Sequence, residues 1–170
     1  MGQGEVHREY IMKLNIPESF NIKGKVKCIL EDVNTGEKEI KEYDNLIVNV
    51  GKVAIARRLA GIGLKANEGQ ATYGATGTDA TAPDVTDTIL GTELARKLVA
   101  SSSYNAGMRQ CEIRTYFNKT ESIGALKEFG LFGEDAAGGG GSGTLFNHAA
   151  INITKDNTKA LTIVVTITIS

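Results

Sequence analysis

The segment from Lys159 to Ser170 constrains the fold more than any other part of the chain. Leu161, Ile163, Val165, Ile167 and Ile169 fall on one parity, and Thr162, Val164, Thr166 and Thr168 on the other. A period of two is the signature of a β-strand with two unlike faces. At about 3.4 Å per residue the run from Leu161 to Ile169 extends roughly 30 Å. It contains no charge, no Pro and no Gly. As a free edge it would be a template for pairing with other chains. It must therefore lie inside a sheet or be covered by another subunit. Its hydroxyl face, with Thr162, Thr166 and Thr168, is a candidate subunit contact.

Other segments carry the same period. Between Phe20 and Val33, Ile22, Val26, Cys28 and Leu30 alternate with Lys23, Lys25 and Lys27. The lysines fit either a phosphate-binding row or a solvated strand face, and the acids that follow favour the solvated face. Asn34-Thr35-Gly36-Glu37 is a turn signal, so Glu37 to Val48 returns as a hairpin arm. Leu98 to Asn105, Met108 to Asn118, Ala125 to Phe132 and Thr144 to Thr154 are the remaining predicted strands. In the second of these, Cys111, Ile113, Thr115 and Phe117 share a face. Ala136 to Gly143 reads as a flexible hairpin tip. Residues 1–19 are polar and unpatterned and read as an N-terminal arm. The expected architecture is a mainly β chain in which residues 20–170 form a single domain. That domain is a jelly-roll-like antiparallel β-sandwich of about eight strands with one short helix.

The helix is predicted from Val50 to Ala60, capped by Asn49 and ended by Gly61 in the left-handed conformation. Val53, Ala56, Leu59 and Ala60 repeat at helical spacing. Lys52, Arg57 and Arg58, with Lys65 just beyond and no acid among them, form the strongest basic cluster in the chain. They face an acidic partner, or they complement the helix dipole.

The bulk numbers narrow the function classes. A length of 170 residues is enough for one domain with a real core. The net charge of −1 gives no overall attraction to nucleic acid or anionic lipid. No apolar run approaches the ~18 residues of a membrane span, and the N-terminus lacks the apolar core of a signal peptide. The expectation is a product made in the cytosol. Cys28 and Cys111 sit in strand-like runs and read as buried thiols; a bridge between them requires adjacent strands.

Reactive constellations are sparse, and no catalytic residue, metal ligand or cofactor is assigned. His7 and His148 are the only imidazoles. Gly51-Lys52 lacks the flanking residues of a phosphate loop. Asp79, Asp84 and Asp87 suit Ca²⁺ chemically, but their spacing matches no calcium loop, and turn capping is the simpler reading. A glycoside hydrolase would need converging carboxylates, and the chain has no Trp to stack on a sugar.

The most informative stretch for function runs from Ala71 to Lys97 with an echo at Glu128 to Phe132. It reads Tyr73-Gly74-Ala75-Thr76-Gly77-Thr78, Ala82-Pro83, Asp87-Thr88-Ile89-Leu90-Gly91-Thr92-Glu93-Leu94-Ala95-Arg96, then Glu128-Phe129-Gly130-Leu131-Phe132 and Gly143-Thr144-Leu145-Phe146. Small residues, turn formers and hydroxyls suit a loop pinned across a β scaffold. Asp87-Thr88 can cap a turn so that Leu90 and Leu94 anchor it. Glu93 and Arg96 can pair, and Gly130 permits close backbone approach. Together with the hairpin ending Tyr43-Asp44-Asn45-Leu46-Ile47-Val48-Asn49, this order resembles a group of bacteriophage virion structural proteins over residues 24 to 150. The resemblance implies a non-enzymatic particle component assembled in the bacterial host cytoplasm. Its first implied role is a homotrimeric capsid decoration (cement) protein bound to the major capsid protein or other virion proteins. A tail, tail-fibre or receptor-binding module is the alternative. Neither role involves direct contact with nucleic acid or membrane.

Overall fold

The computed structural model describes residues 21–61 and 69–170. The expected arm, residues 1–19, and Lys65 lie outside them. The described elements are β1 (Ile22–Asp32), β2 (Lys38–Ile47), α1 (Asn49–Ala60), β3 (Ala71–Gly77), β4 (Glu93–Asn105), β5 (Gln110–Phe117), β6 (Gly124–Gly133), β7 (Thr144–Lys155) and β8 (Lys159–Ile169).

All pairings are antiparallel, and the strands close into a barrel in the order β1-β2-β7-β6-β3-β4-β5-β8. The chain is mainly β as expected, but the jelly-roll sandwich is corrected to a closed barrel. Two strands make the difference by serving both sides. β2 pairs with β1 and then places Leu46 and Ile47 opposite His148 and Asn147 of β7. β4 pairs with β3 over its first half, with Tyr73 opposite Leu98. Its second half pairs with β5, and its register shifts between Val99 and Ser101. Sharing these strands removes the sheet edges that a sandwich leaves at its corners.

β8 lies between β1 and β5 along its length, so the strand least tolerable as an edge is interior. Val26, Cys28 and Leu30 of β1 point into the main core with Leu161, Ile163 and Val165. Lys23, Lys25 and Lys27 point into solvent. Lys25 pairs across the strands with Asp44 at 2.5 Å. β5 contributes Phe117, β6 Leu126, Phe129 and Leu131, and β7 Ile151 and Ile153. A second, smaller core holds Val48, Ala75, Leu90, Phe132 and Leu145. Phe129-Gly130-Leu131-Phe132 joins the two, with Phe129 and Leu131 in the main core and Phe132 in the smaller one. Gly130 is required there, because a Cβ would lie 2.6 Å from Leu145 Cδ1.

Residues 71–77 form a strand rather than the expected loop. Their small side chains let β3 run close to its neighbours: a Cβ on Gly74 would lie 2.2 Å from Thr115 Oγ1 of β5. β4 likewise begins at Glu93, earlier than predicted. The Glu93–Arg96 pair forms as expected, at 2.7 Å, and Arg96 lies over the Phe132 ring at 4.0 Å.

The helix bounds hold, with two corrections. Its N-cap is Val48, without a side-chain cap; the N–H of Asn49 donates instead to the Val85 carbonyl at 2.7 Å. Gly61 ends it in the left-handed conformation as predicted, with φ 66°. The buried side is Gly51 and Ala54, whereas Val53 and Leu59 are exposed. Gly51 decides this, since a Cβ there would meet the Phe146 carbonyl oxygen of β7 at 2.3 Å.

Cys28 lies opposite Ile163 and Cys111 opposite Ile167, on the two strands that flank β8. A four-residue offset is about 13 Å along the strand, beyond the ~7 Å limit of a disulfide. Burial pushes the Cys28 thiol up to about 12. Cys28 is therefore predicted to resist iodoacetamide at pH 8 in the folded protein and to react in urea. Rapid labelling of Cys28 in the folded chain, read by mass spectrometry of its peptide, would contradict this packing.

Candidate functional site

The outer side of β6 and β7 carries an ionisable cluster. Glu128 and His148 are both buried there. Glu128 follows a register irregularity in β6 that places it opposite Ala150. The 78–92 loop folds over it. Gly91 N–H donates to Glu128 Oε2 at 2.8 Å, and Thr92 N–H to Oε1 at 2.8 Å. Asp79 N–H reaches Oε1 at 3.3 Å. His148 Nε2 lies 3.1 Å from Glu128 Oε2, and Nδ1 lies 2.7 Å from Asp87 Oδ2. Asp87 Oδ2 also accepts the Asp84 N–H at 2.8 Å.

An open cavity of about 350 Å³ borders the cluster, lined by Asp79, Thr81, Thr86, Asp87, Glu128 and His148. Thr88 lines it too, and the hydroxyls of Thr81 and Thr86 are committed to the loop's own turns. Thr81 Oγ1 donates to Asp79 Oδ1 at 2.8 Å, and Thr86 Oγ1 to Asp84 Oδ1 at 2.6 Å. The backbone and hydroxyl donors of Thr81 hold the Asp79 carboxyl below the usual carboxylate range, and those of Thr86 do the same for Asp84. Both oxygens of Glu128 accept from the loop backbone, and one also meets the imidazole. This geometry works as a latch: it ties the 78–92 loop to β6 and β7 and seats Leu90 in the second core. Leu94, the other expected anchor, is exposed.

The residues expected at a partner contact are dispersed. Thr166, Thr168 and Lys52 line one open cavity of about 710 Å³ at the end of β1. Thr168 Oγ1 accepts from Gln110 Nε2 at 3.0 Å. Thr162 lies farther along β8, opposite Ile29 and Tyr116. Arg57 lies 3.6 Å from Glu134, and the stem of Arg58 covers Gly69.

Thr162 belongs to a feature that only the strand register displays. Ile40 pairs with Ile29, Ile29 with Thr162, and Thr162 with Tyr116. Leu98 stands one step beyond the Val99–Thr115 pair, beside Tyr116. Ile40 is 59% exposed, Tyr116 46% and Leu98 61%. An apolar row thus crosses five strands on the outside of the barrel. The neighbouring outward positions are charged and paired, as in Lys27–Glu42, Lys38–Glu31 and Arg114–Glu112. Ile40, Tyr116 and Leu98 escaped sequence reasoning because they come from three different strands. Glu128 did leave a sequence signal, as the one acid beside Phe129-Gly130-Leu131-Phe132.

No protein-family model, curated protein or solved structure matches this chain.

Glu128→Gln removes a charged acceptor from the latch and is predicted to cost about 3 kcal/mol. A lower urea midpoint with faster amide exchange at Gly91 and Thr92 would bear this out; unchanged exchange would contradict it. Asp79 and Asp84 titrate lower when folded than when unfolded. They therefore add stability above about pH 4 and lose it as pH falls through their folded values. Denaturation midpoints should hold level from pH 7 to about pH 5 and fall below about pH 4. A midpoint that rises toward pH 3 would refute the sign.

Proposed function

We propose that the chain is a non-enzymatic assembly module of a bacteriophage particle, working as a homotrimeric capsid decoration protein that docks on the major capsid protein. One observation carries the assembly part of this reading: the uncovered apolar row Ile40–Ile29–Thr162–Tyr116–Leu98, flanked on the outer face by the ion pairs Lys27–Glu42, Lys38–Glu31 and Arg114–Glu112. At about 4.8 Å between strands, five strands give a strip roughly 20 Å wide. An apolar centre with a charged rim is the usual anatomy of a protein interface. The row also contains Thr162, which the strand pattern singled out as a contact. Placement in a phage particle rests on the resemblance of the motifs between residues 24 and 150.

Supporting chemistry comes from the latch. Its carboxylates are engaged by backbone N–H groups, which suits a fixed loop better than a group waiting for substrate. The loop between β6 and β7 is tethered too. Arg96 donates to the Ser142 carbonyl at 2.7 Å, and Ser142 Oγ accepts the Ala137 N–H at 2.9 Å.

The test has two arms. The chain is predicted to self-associate at micromolar concentration, and Leu98→Glu to weaken that association about tenfold or more while circular dichroism stays unchanged. A parent that stays a single protomer at ~100 µM, or a Leu98→Glu variant that associates as well as the parent, would overturn the assembly reading. Gold-labelled antibody on intact particles should decorate heads; tail labelling would replace the head role with a tail role, and unlabelled particles would end both.

A further inference from the structure

Helix α1 and the 78–92 loop form a second surface, separate from the apolar row. α1 packs on β7, whereas the row lies on β2, β1, β8, β5 and β4. The two parts are joined at the helix N-terminus, where Asn49 N–H donates to the Val85 carbonyl. They carry opposite charge. From Asn49 to Gly61 the helix has Lys52, Arg57 and Arg58 and no acid. From Thr78 to Thr92 the loop has Asp79, Asp84 and Asp87 and no base. Asp87 is engaged by His148 and Asp79 is half-buried, which makes Asp84 the exposed acid of the loop; on the helix Arg57 is paired with Glu134, and Lys52 and Arg58 are exposed. Each part also shows apolar side chains to solvent. Leu59 is 91% exposed and Val53 51%, with Ala56 and Ala60 beside them; on the loop, Ile89 is 57% exposed.

We infer that this surface is self-complementary and pairs with the same surface of a second copy about a two-fold axis, each basic helix seated on the acidic loop of the other. In a two-fold contact, residue i meets j and j meets i, so one basic and one acidic patch side by side satisfy each other twice. A different partner would need an acidic and a basic patch at matching spacing; a second copy has them by construction. Val53, Leu59 and Ile89 supply the apolar burial, and the charges set register and orientation. The contact goes beyond the trimer proposed above, because it links protomers or trimers through another face. The latch acts on it directly, since Glu128 and His148 hold the acidic loop in place.

The experiment uses the full chain carrying Leu98→Glu, so that failure of the outer-row contact and failure of this one read separately. Sedimentation equilibrium should show a monomer–dimer equilibrium in that background. Lys52→Glu alone and Asp84→Lys alone should each raise the dissociation constant about tenfold or more. Mixed in equal amounts, the two variants should form a heterodimer within about threefold of the unsubstituted affinity, because one of its two contacts pairs the reversed charges and the other keeps the native pair. A mixture no tighter than its components, or a background chain that stays monomeric at ~1 mM, overturns the inference. Asp84 also caps a turn through Thr86, so Leu59→Glu provides a second variant that leaves the loop untouched. It should weaken the dimer about tenfold, and an unchanged dimer would overturn the proposal.

Discussion

β8 has no charge, Pro or Gly between Leu161 and Ile169, and the barrel is built so that neither of its edges meets water. That constraint orders the rest. β1, near the start of the sequence, and β5, from its middle, flank it. Their own partners, β2 and β4, must then close the remaining strands around the core. β2 and β4 do so by pairing on both sides, which turns two sheets into one closed wall. The inner face of β8 fills the main core with Leu161, Ile163 and Val165. Its outer face places Thr162 in the apolar row on the ion-paired side of the barrel.

The opposite side follows a different logic. β6 is buried on both faces from Glu128 to Gly133 and β7 from Leu145 to Ala149, whereas β7 alternates from Ala150 to Lys155. The outer face of this pair is covered by the 78–92 loop and by α1. Covering a strand with a loop leaves backbone N–H groups that need acceptors. Glu128 supplies two oxygens for them, and His148 connects that carboxylate to Asp87. One buried acid thus fixes the loop, the second core beneath it, and the acidic surface beside α1.

Local periodicity made most of the strands readable. The alternation in β1, β5 and β8 marked them with the correct inward faces, and Gly61 marked the helix end. Three features were hidden for physical reasons. Ala71–Gly77 looked like a loop because its residues are small, yet smallness is what lets β3 approach Thr115. The helix face was misassigned because Gly51 and Ala54 are weakly apolar; close approach to Phe146, rather than hydrophobicity, chose the buried side. Closure of the barrel depends on two short pairings at the end of β2, a long-range fact with no local signature. In the candidate site, Asp87 was legible as a turn cap, Leu90 as an anchor and Gly130 as a point of close backbone approach. The bond from Glu128 to the loop was not, because it joins positions far apart in the chain.

The central claim is that this barrel buries its inner surface within one protomer and keeps its outer apolar row for another molecule. Sedimentation velocity of the unmodified chain over a thousandfold dilution tests it most directly. The account predicts a fast-sedimenting species at micromolar concentration that gives way to the 18.1 kDa protomer on dilution. A single 18.1 kDa species at every concentration would contradict it.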